Sequence, residues 1–383
     1  MVSEANTVEN FQCRQSQIGS IKALAKTLSL IESELIDLAE CSDQYYKVSK
    51  EIPKSDGSVR RTYSVSYPLK KVLIRIRSRI ISNVDYPDYI LAGRLGRSYL
   101  DNANKHKSSA MILSEDITRF FDSIKQEYVE QIFKYFFHFP PDVAKTLSQL
   151  CTLDGYLVQG SPLSGDIANL IFNEKEPNVV KLAAELGLKY SRYYDDIYVS
   201  SLTNNFDAHI GTLRTAIYGM FASVEVKPNK SPQKSRVMRS SHRMDVHDVT
   251  VNSHKLSPSK KRTSKVRLSV DRLRKMVAED AAISDILKVY RSTFGQLITL
   301  KSQGSPKYVK MRSELDQIMK SIEPAKARKF ARKFRNIKTE ADFKSFAQKI
   351  SVLKRISPSV AGVINAESKS AKLKIKFKQA TTH

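Results

Sequence analysis

Three aspartates are the residues of this sequence best suited to chemistry. Asp195 and Asp196 lie side by side in the stretch KYSRYYDDIYVSS, whose β-prone segments predict two short strands joined by a tight turn. Asp116 follows a predicted buried strand, Ala110 to Leu113, in SSAMILSEDITRFFDSI. Carboxylate oxygens are hard ligands that suit Mg²⁺, and a bound cation would offset the repulsion between adjacent like charges. We therefore predict that the three carboxylates face a cleft and bind divalent metal.

Such a cluster predicts phosphoryl transfer. Two ions about 4 Å apart would activate a hydroxyl nucleophile and stabilise a departing pyrophosphate in an in-line displacement. The alternative is a solvated hairpin tip, because turns tolerate aspartate well.

The composition indicates a polyanionic partner. The 383 residues carry 64 Lys and Arg against 39 Asp and Glu, which gives a formal net charge of +25. Nucleic acid is the first candidate partner, and an anionic membrane surface is the second. No run of about 18 apolar residues could span a bilayer, and the polar start MVSEANTVENFQCR lacks the apolar core of a secretion signal. We expect a cytoplasmic protein with no membrane partner.

The cysteines and histidines predict no metal site. Cys13, Cys41 and Cys151 are widely spaced and odd in number, so we expect reduced thiols. His242 and His247 have no cysteine or carboxylate partners at ligand spacing, and we expect both to lie in a solvated basic loop.

Residue periodicity predicts the elements around the aspartates. Apolar residues three and four apart predict one helix from Ser20 to Ala39, with Ser20 as N-cap. A basic hairpin turning at Asp56-Gly57 follows, and then a helix over residues 70–84 with an arginine-rich face. Further helices are predicted over 125–151, 176–187, 265–300 and 306–355.

In the tail SAKLKIKFKQATTH, lysines alternate with Leu373, Ile375 and Phe377, which predicts an edge strand or a basic disordered end.

Several ordered blocks between about Gly57 and Leu268 resemble reverse transcriptases, and within them the bacterial retron and defence-associated group. GSVRRTYSVSYPLKKV is similar to the fingers block, and LDNANKHKSSAMILSEDITRFF contains the retron-like Asn-Ala-x-x-His pattern before the first aspartate. LVQGSPLSGDIANLIF resembles the segment that positions template and nucleotide, and RYYDDIYVS resembles the metal-binding tip. VKPNKS and VTVNSHKLSPSKKRTSKVRL are similar to the end of the palm and the start of the thumb.

This resemblance implies an α+β protein with the right-hand polymerase fold: fingers, a palm with an antiparallel sheet, a helical thumb and a basic C-terminal extension. We place an N-terminal helical segment at 1–44, fingers and palm at 45–240, the thumb at 241–320 and the extension at 321–383. The dense Lys and Arg after about residue 225 indicate the nucleic-acid surface.

The resemblance also implies the roles of individual residues. Two Mg²⁺ ions, with Mn²⁺ as a substitute, would be held by Asp116 and Asp195, the Ile117 carbonyl and the charge of Asp196. Lys230, with Lys234 as the rival assignment, would protonate the departing pyrophosphate. The residues expected to bind the nucleotide are Arg60, Arg61, Phe121, Gln159 and Gly160, with Phe121 as the gate against a ribose 2′-hydroxyl. The residues expected to bind nucleic acid are Asn102, His106, Lys255, Lys260, Lys261 and Arg262.

Three positions depart from the family pattern. Gly165 stands where proline is usual, Val251 where glycine is usual, and Tyr194 where a small residue is usual. We expect Gly165 to alter a loop, Val251 to alter RNA recognition, and Tyr194 to affect fidelity or substrate choice.

The expected function is RNA-directed DNA synthesis with deoxynucleoside triphosphates. A structured non-coding RNA would be template or scaffold, the product would be DNA, and antiphage defence, with a partner or effector protein, would be the setting. Three alternatives stay open: a group II intron-like reverse transcriptase/maturase, an RNA-binding scaffold with little synthesis, and an RNA-dependent RNA polymerase. Clustered carboxylates disfavour the scaffold because they would repel RNA, and Phe121 disfavours the RNA polymerase.

Overall fold

The computed structural model describes residues 9–53, 57, 59–203 and 206–380, with side chains as far as residue 375. Asp56 of the predicted turn therefore lies outside the described residues. Contacts divide the chain into two units. The first reaches His247, beyond the predicted boundary at 240, and includes Val251–His254; the second comprises Asp248–Thr250 and the residues from Lys255 onward.

Two short helices, α1 (Ile21–Leu28) and α2 (Glu32–Glu40), replace the single helix predicted from Ser20 to Ala39. Ser20 caps α1 as predicted, because its Oγ accepts a hydrogen bond from the Ala23 N–H at 3.2 Å. The prediction of continuity was wrong because Ser29 is left-handed, with φ 54° and ψ 51°. A left-handed residue ends a helix, and the apolar spacing gives no sign of it when serine rather than glycine takes that position.

A hairpin of β2 (Tyr46–Pro53) and β3 (Val59–Val65) leads into α3 (Leu69–Arg79). The arginine-rich face of α3 is hydrogen-bonded to α1. Arg75 and Arg79 donate to main-chain carbonyls in the last turn of α1, at 2.6 and 2.5 Å. Cations suit this position because the last carbonyls of a helix have no partner within the helix.

A four-stranded antiparallel sheet lies at the centre of the first unit, in the order β6–β7–β5–β8. Its strands are β5 (Met111–Asp116), β6 (Lys189–Tyr193), β7 (Asp196–Ser201) and β8 (Arg236–Arg239). Every residue of β5 is buried. Asp116 is in register with Asp196, so the end of β5 and the beginning of β7 meet at the same end of the sheet.

The remaining elements of the first unit surround this sheet. Two short strands, β1 (Gln12–Cys13) and β4 (Val84–Asp85), pair with each other, and β9 (Asp245–Val246) follows β8. The helices are α4 (Tyr99–Lys105), α5 (Phe120–Ser123), α6 (Gln126–Gln131), α7 (Pro141–Cys151), α8 (Ser164–Leu170), α9 (Glu176–Glu185) and α10 (Ile210–Ala222). The helical region predicted over 125–151 is divided by a π-helical turn at Ile132–Phe136 and by the non-helical residues 137–140, which end in the proline before α7. Cys13, Cys41 and Cys151 are free thiols.

The second unit is helical apart from a short antiparallel pair, β10 (Val249–Thr250) and β11 (Ser257–Pro258). Its helices are α11 (Lys260–Ala278), α12 (Ile283–Ser302), α13 (Tyr308–Lys320), α14 (Pro324–Ala331), α15 (Glu340–Ile350) and α16 (Pro358–Ala380). One cluster of buried side chains extends from Val266 to Ala371, so residues on both sides of the predicted boundary at 320 share a core.

The described part of the C-terminal tail is helical as far as Ala380, and for these residues both expected alternatives, an edge strand and a disordered end, were wrong. The alternation at Leu373 and Ile375 is short, whereas Val360, Ile364, Ala371 and Ile375 are buried along α16. Residues four apart lie on one helix face, and that longer pattern determines the structure. The Phe377 side chain lies outside the described part of the chain. Within that part, no helix combines the length and apolar character needed to cross a bilayer.

Candidate active site

Asp116 ends β5 in a buried position, where two side chains from one loop contact it. Asn229 Nδ2 donates to Asp116 Oδ2 at 2.9 Å, and Lys234 Nζ donates to Oδ1 at 2.6 Å. The loop is held there by its main chain: the Asn229 N–H donates to the Asp116 carbonyl at 2.8 Å, and Ile117 forms a bridge with Pro228. Ile117 is thus held beside the first aspartate.

The paired aspartates lie at a hairpin tip, as predicted. Tyr194 and Asp195 form the two-residue connection between β6 and β7, with Tyr193 paired to Asp196. Tyr194 has φ 56°, the left-handed conformation that such tight connections require. The hairpin therefore brings Asp195 and Asp196 to the end of the sheet where Asp116 lies.

The three carboxylates lie close enough to affect one another's ionisation. Burial raises the pKa of Asp195, the charge of Asp116 raises it further, and Lys234 and Arg60 oppose the shift. Burial and the charge of Asp195 also raise the pKa of Asp196. Anionic groups whose pKa values are raised by burial and by one another are stabilised by added positive charge.

Lys234, rather than Lys230, is the lysine that the structure brings to the carboxylates. Lys234 Nζ lies 2.6 Å from Asp116 and 3.6 Å from Asp196. Burial opposes its protonation, but the carboxylates, led by Asp196, raise the pKa of Lys234 overall. Lys230 is exposed, and among the described residues it makes no hydrogen bond or ion pair. Of the two lysines considered for protonation of the pyrophosphate, Lys234 is therefore the one that contacts the carboxylates, and the role of Lys230 stays a prediction.

Two of the predicted nucleotide-binding residues, Gln159 and Gly160, lie where the β2–β3 hairpin contacts the loop before α8. The Tyr63 N–H donates to the Gln159 carbonyl at 2.8 Å. Gly160 has φ 112°, and a Cβ there would lie 2.2 Å from the Tyr63 carbonyl oxygen, so only glycine permits this approach. Arg60 acts on Asp195 electrostatically, whereas Arg61 pairs with Glu51 at 2.9 Å. Successive strand residues face opposite sides, so Arg60 is the better placed of the two arginines.

Phe120 and Phe121 occupy different environments. Phe120 is 3% exposed and stacks on Phe172, with ring centroids 6.0 Å apart. Phe121 is half-buried, and its ring lies 5.8 Å from that of Tyr194 in the hairpin tip. Phe120 is thus a core residue, and Phe121 lies beside the carboxylate hairpin, where the predicted gate is expected.

Two of the departures from the family pattern belong to one packing arrangement. A Cβ on Gly165 would lie 2.8 Å from Tyr194 Oη, and a Cβ on Gly93 would lie 2.5 Å from the same atom. The phenol of Tyr194 therefore occupies the space that a larger residue at 165 needs. Gly165 is the second residue of α8, where the backbone would tolerate proline, so the obstacle is the tyrosine.

Substitutions at 165 and 194 should therefore be coupled. We expect Gly165→Ala to lower the free energy of unfolding by about 1–3 kcal/mol through overpacking, and Tyr194→Phe to relieve most of that loss by removing Oη. Gly211→Ala in α10 is the matched control, because nothing lies within 4 Å of its added Cβ. Urea unfolding of the two single variants and the double variant measures the coupling. Strictly additive effects would show that Tyr194 does not set the space at 165.

The structure corrects three expectations about polar residues. Asn102 and His106 are both 0% exposed, so their side chains contact other side chains rather than nucleic acid. His247 does not lie in a solvated loop: its side chain is 13% exposed, and Nδ1 lies 3.6 Å from Asp196 Oδ2. His242 is exposed, as predicted. No ligand-like spacing marks His247 in the sequence, because its neighbours in space are distant in the chain.

The basic residues predicted to bind nucleic acid all belong to the second unit. Lys255, Lys260 and Lys261 are exposed. Arg262 Nη2 lies 3.5 Å from Asp248, and its main-chain N–H donates to Ser259, the N-cap of α11. Three of the four cations are therefore presented to solvent at or before the first turn of α11.

A buried ion pair anchors the strand that carries the hairpin, and sequence analysis did not identify it. Arg192 of β6 and Glu176 of α9 are both 0% exposed, and Arg192 Nε and Nη2 donate to the two Glu176 carboxylate oxygens at 2.7 and 2.8 Å. Arg192 Nη2 also donates to the Asn169 carbonyl at 2.8 Å. A bidentate pair with further hydrogen bonds fixes the position of β6 against α8 and α9.

A reverse transcriptase (RNA-dependent DNA polymerase) family model matches residues 52–255, which include the end of β2, all of β3, the central sheet and all three aspartates. The chain belongs to the reverse transcriptase family. The predicted α+β polymerase fold and RNA-directed DNA polymerase function are thereby confirmed.

Retron reverse transcriptases are among the relatives of this reverse transcriptase, which confirms the predicted resemblance. The retron Ec48 reverse transcriptase of Escherichia coli is 29% identical over 316 residues, covering 79% of this chain and 76% of the relative. The retron Se72 reverse transcriptase of Salmonella heidelberg is 26% identical over 303 residues, covering 79% and 80%. Telomerase from Candida albicans covers 84% of this chain and 65% of its own at 11% identity and a TM-score of 0.39, which is too distant to carry a structural argument.

Proposed function

We propose that this reverse transcriptase copies a structured non-coding RNA into DNA by two-metal phosphoryl transfer at Asp116, Asp195 and Asp196. The observation that carries the proposal is the pairing of Asp116 with Asp196 at the end of the sheet where the hairpin presents Asp195. Pure RNA binding would gain nothing from three acidic side chains at one point of a protein with a net charge of +25.

The donor set fits Mg²⁺. Among the described residues, no three His, Cys, Asp or Glu side chains already form a complete set of metal ligands. Mg²⁺ does not require one, because it binds through one or two carboxylates and takes the rest of its shell from water and substrate phosphates. Asp116 and Asp195 would hold the ions, the Ile117 carbonyl would assist, and Mn²⁺ would substitute. The raised pKa values of Asp195 and Asp196 support a site that accepts positive charge.

When bound, the ions would activate the primer 3′-hydroxyl and neutralise charge on the phosphates. Protein residues would do the rest. Arg60 and Gln159 would bind the incoming deoxynucleoside triphosphate, for which an arginine suits phosphate geometry. Phe121 would exclude a 2′-hydroxyl. Lys234, kept protonated by its carboxylate neighbours, would give its Nζ proton to the departing pyrophosphate.

The RNA would contact the basic surface that includes Lys255, Lys260, Lys261 and Arg262. Exposed cations at the start of a helix release counterions from phosphates and bind without regard to sequence. Similarity to retron reverse transcriptases supports a non-coding RNA as template or scaffold and DNA as the product. It also supports a setting in antiphage defence with a partner or effector protein.

Sequencing the nucleic acid that copurifies with the protein tests this function. We expect one RNA species together with DNA complementary to part of it. The Asp195→Asn variant should copurify with the same RNA and without the DNA, because it loses chemistry and keeps binding. RNA without complementary DNA in the wild type would instead support an RNA-binding scaffold, and a ribonucleotide product would support an RNA polymerase.

A further inference from the structure

A chain of buried polar side chains leads from the interior of the sheet toward the active site. Its members are Ser200, His106, Ser191, Asn102 and His247, and the first four are at most 1% exposed. His106 lies between the two serines, with Nδ1 2.7 Å from Ser200 Oγ and Nε2 2.6 Å from Ser191 Oγ. Ser191 Oγ donates to Asn102 Oδ1 at 2.5 Å. We call these five residues the polar chain.

The direction of each hydrogen bond in the polar chain is fixed. Burial lowers the pKa of His106 to about 3, so its ring is neutral and carries one proton. Ser191 gives its only proton to Asn102, and it must therefore accept from His106 Nε2. His106 Nδ1 is then an acceptor for the Ser200 hydroxyl. Every donor in this part of the chain is oriented toward Asn102.

The same direction continues to the active site. Asn102 Nδ2, which can only donate, lies 2.8 Å from His247 Nε2. A neutral His247 that accepts at Nε2 carries its proton on Nδ1, the atom that lies 3.6 Å from Asp196 Oδ2. Asp196 is therefore the group that this donor faces.

The His247 ring is held from other sides as well. Tyr193 and Tyr198 contact it edge-on, with ring centroids 4.7 and 5.4 Å away. The His247 backbone has φ 52°, a left-handed conformation that persists in a non-glycine residue when surrounding contacts impose it. Packing, backbone conformation and hydrogen bonding thus agree on one orientation of the ring.

We propose that the polar chain positions Asp196, with His247 as the positioning residue that contacts it and Asn102 and His106 as the residues that orient His247. This inference rests on the proposed metal-dependent function. Asp196 is next to Asp195 and in register with Asp116, so repulsion would turn its carboxylate away unless groups of opposite polarity face it. Lys234 Nζ lies 3.6 Å from Oδ1 and His247 Nδ1 lies 3.6 Å from Oδ2. Partners that orient a carboxylate in this way affect metal affinity and rate without touching substrate.

Two substitutions at His247 test the roles of its two ring nitrogens separately. His247→Asn retains an N–H donor near the position of Nδ1, whereas His247→Gln reaches the position of Nε2 and removes the donor that faces Asp196 Oδ2. We expect His247→Gln to lower kcat for primer extension at limiting Mg²⁺ by about tenfold or more and to raise the Mg²⁺ concentration for half-maximal rate. KM for the deoxynucleotide and RNA affinity should not change, and His247→Asn should recover much of the activity.

The Asn102→Ala variant and the Asn102→Ala/His247→Gln double variant test the connection. If Asn102 acts through His247, the double variant should be no slower than the slower single variant. Melting temperatures, measured for every variant, identify any loss that is due to unfolding. His209→Gln, in the short turn Asp207–His209, is the control and should match the wild type in rate and Mg²⁺ requirement.

Three results would overturn the inference: a His247→Gln variant with the wild-type kcat and Mg²⁺ requirement, multiplicative effects in the double variant, or a loss confined to RNA affinity. The last result would return Asn102 to its predicted role in nucleic-acid binding and would give His247 the same role. Failure of the proposed function is distinguishable, because the wild type would then show no Mg²⁺-dependent extension in the same assay.

Discussion

Asp195→Asn is expected to reduce primer extension with Mg²⁺ at least about a hundredfold and to leave RNA binding intact. The substitution keeps the size of the side chain and removes the negative charge that holds metal. It should not destabilise the fold. Burial and the charge of Asp116 raise the pKa of Asp195. Ionisation of Asp195 therefore lowers the free energy of unfolding as the pH rises through that pKa, and a neutral amide does not ionise and avoids this loss. A melting temperature equal to or above that of the wild type should accompany the loss of activity.

Asp116→Asn should lose activity to the same extent, and Asp142→Asn provides the matched control. Asp142 is exposed in the first turn of α7, so its variant should extend primers at the wild-type rate. A single-turnover assay on one RNA template, with melting curves for each variant, makes the comparison. Retention of more than about a hundredth of the wild-type rate in Asp195→Asn would contradict the two-metal role.

Phe121→Ala is expected to admit ribonucleotides that the wild type rejects. The half-buried Phe121 ring lies beside the hairpin tip, where it would occupy the volume that a 2′-hydroxyl needs. The ratio of kcat/KM for a ribonucleotide to that for its deoxy counterpart should rise on the order of tenfold to a hundredfold, because steric rejection of a small group is of that size. The ratio is informative even if the variant is slower overall.

Phe120→Leu controls for damage to the core. Phe120 is buried and stacks on Phe172, so its substitution should lower the melting temperature and leave sugar selectivity unchanged. An unchanged ratio in Phe121→Ala would show that Phe121 only packs. A wild type that prefers ribonucleotides would place the enzyme with RNA polymerases.

The sequence was sufficient to locate the carboxylates, because their positions depend on local rules. Asp116 follows a continuous apolar run that predicts a buried strand, and the other two aspartates interrupt a strand pattern where only a turn tolerates them. Element type was also predictable where periodicity was long, as in α3. These features need no information about distant parts of the chain.

Residues that depend on distant contacts could not be assigned in this way. Lys230 and Lys234 have similar sequence contexts, and the contacts of their loop with Asp116 and Ile117, which are distant in the chain, determine which lysine reaches Asp116. His247 is 145 residues from Asn102, its hydrogen-bond partner. Ser29 ends a helix that the apolar spacing continues. Contacts between residues distant in the chain determine the structure in each of these cases, and no local sequence pattern indicates those contacts.

The buried pair of Arg192 and Glu176 limits how the sequence of this enzyme can diverge. Replacing either partner alone would leave the other charge buried and unpaired, which typically lowers the free energy of unfolding by about 3–5 kcal/mol. Replacing both with well-packed apolar residues is often neutral. Selection would therefore remove single substitutions at these positions, and both residues would have to change together. Because Arg192 is also hydrogen-bonded to α8, a homologue that lacks the pair must have reshaped the support of the aspartate hairpin at the same time.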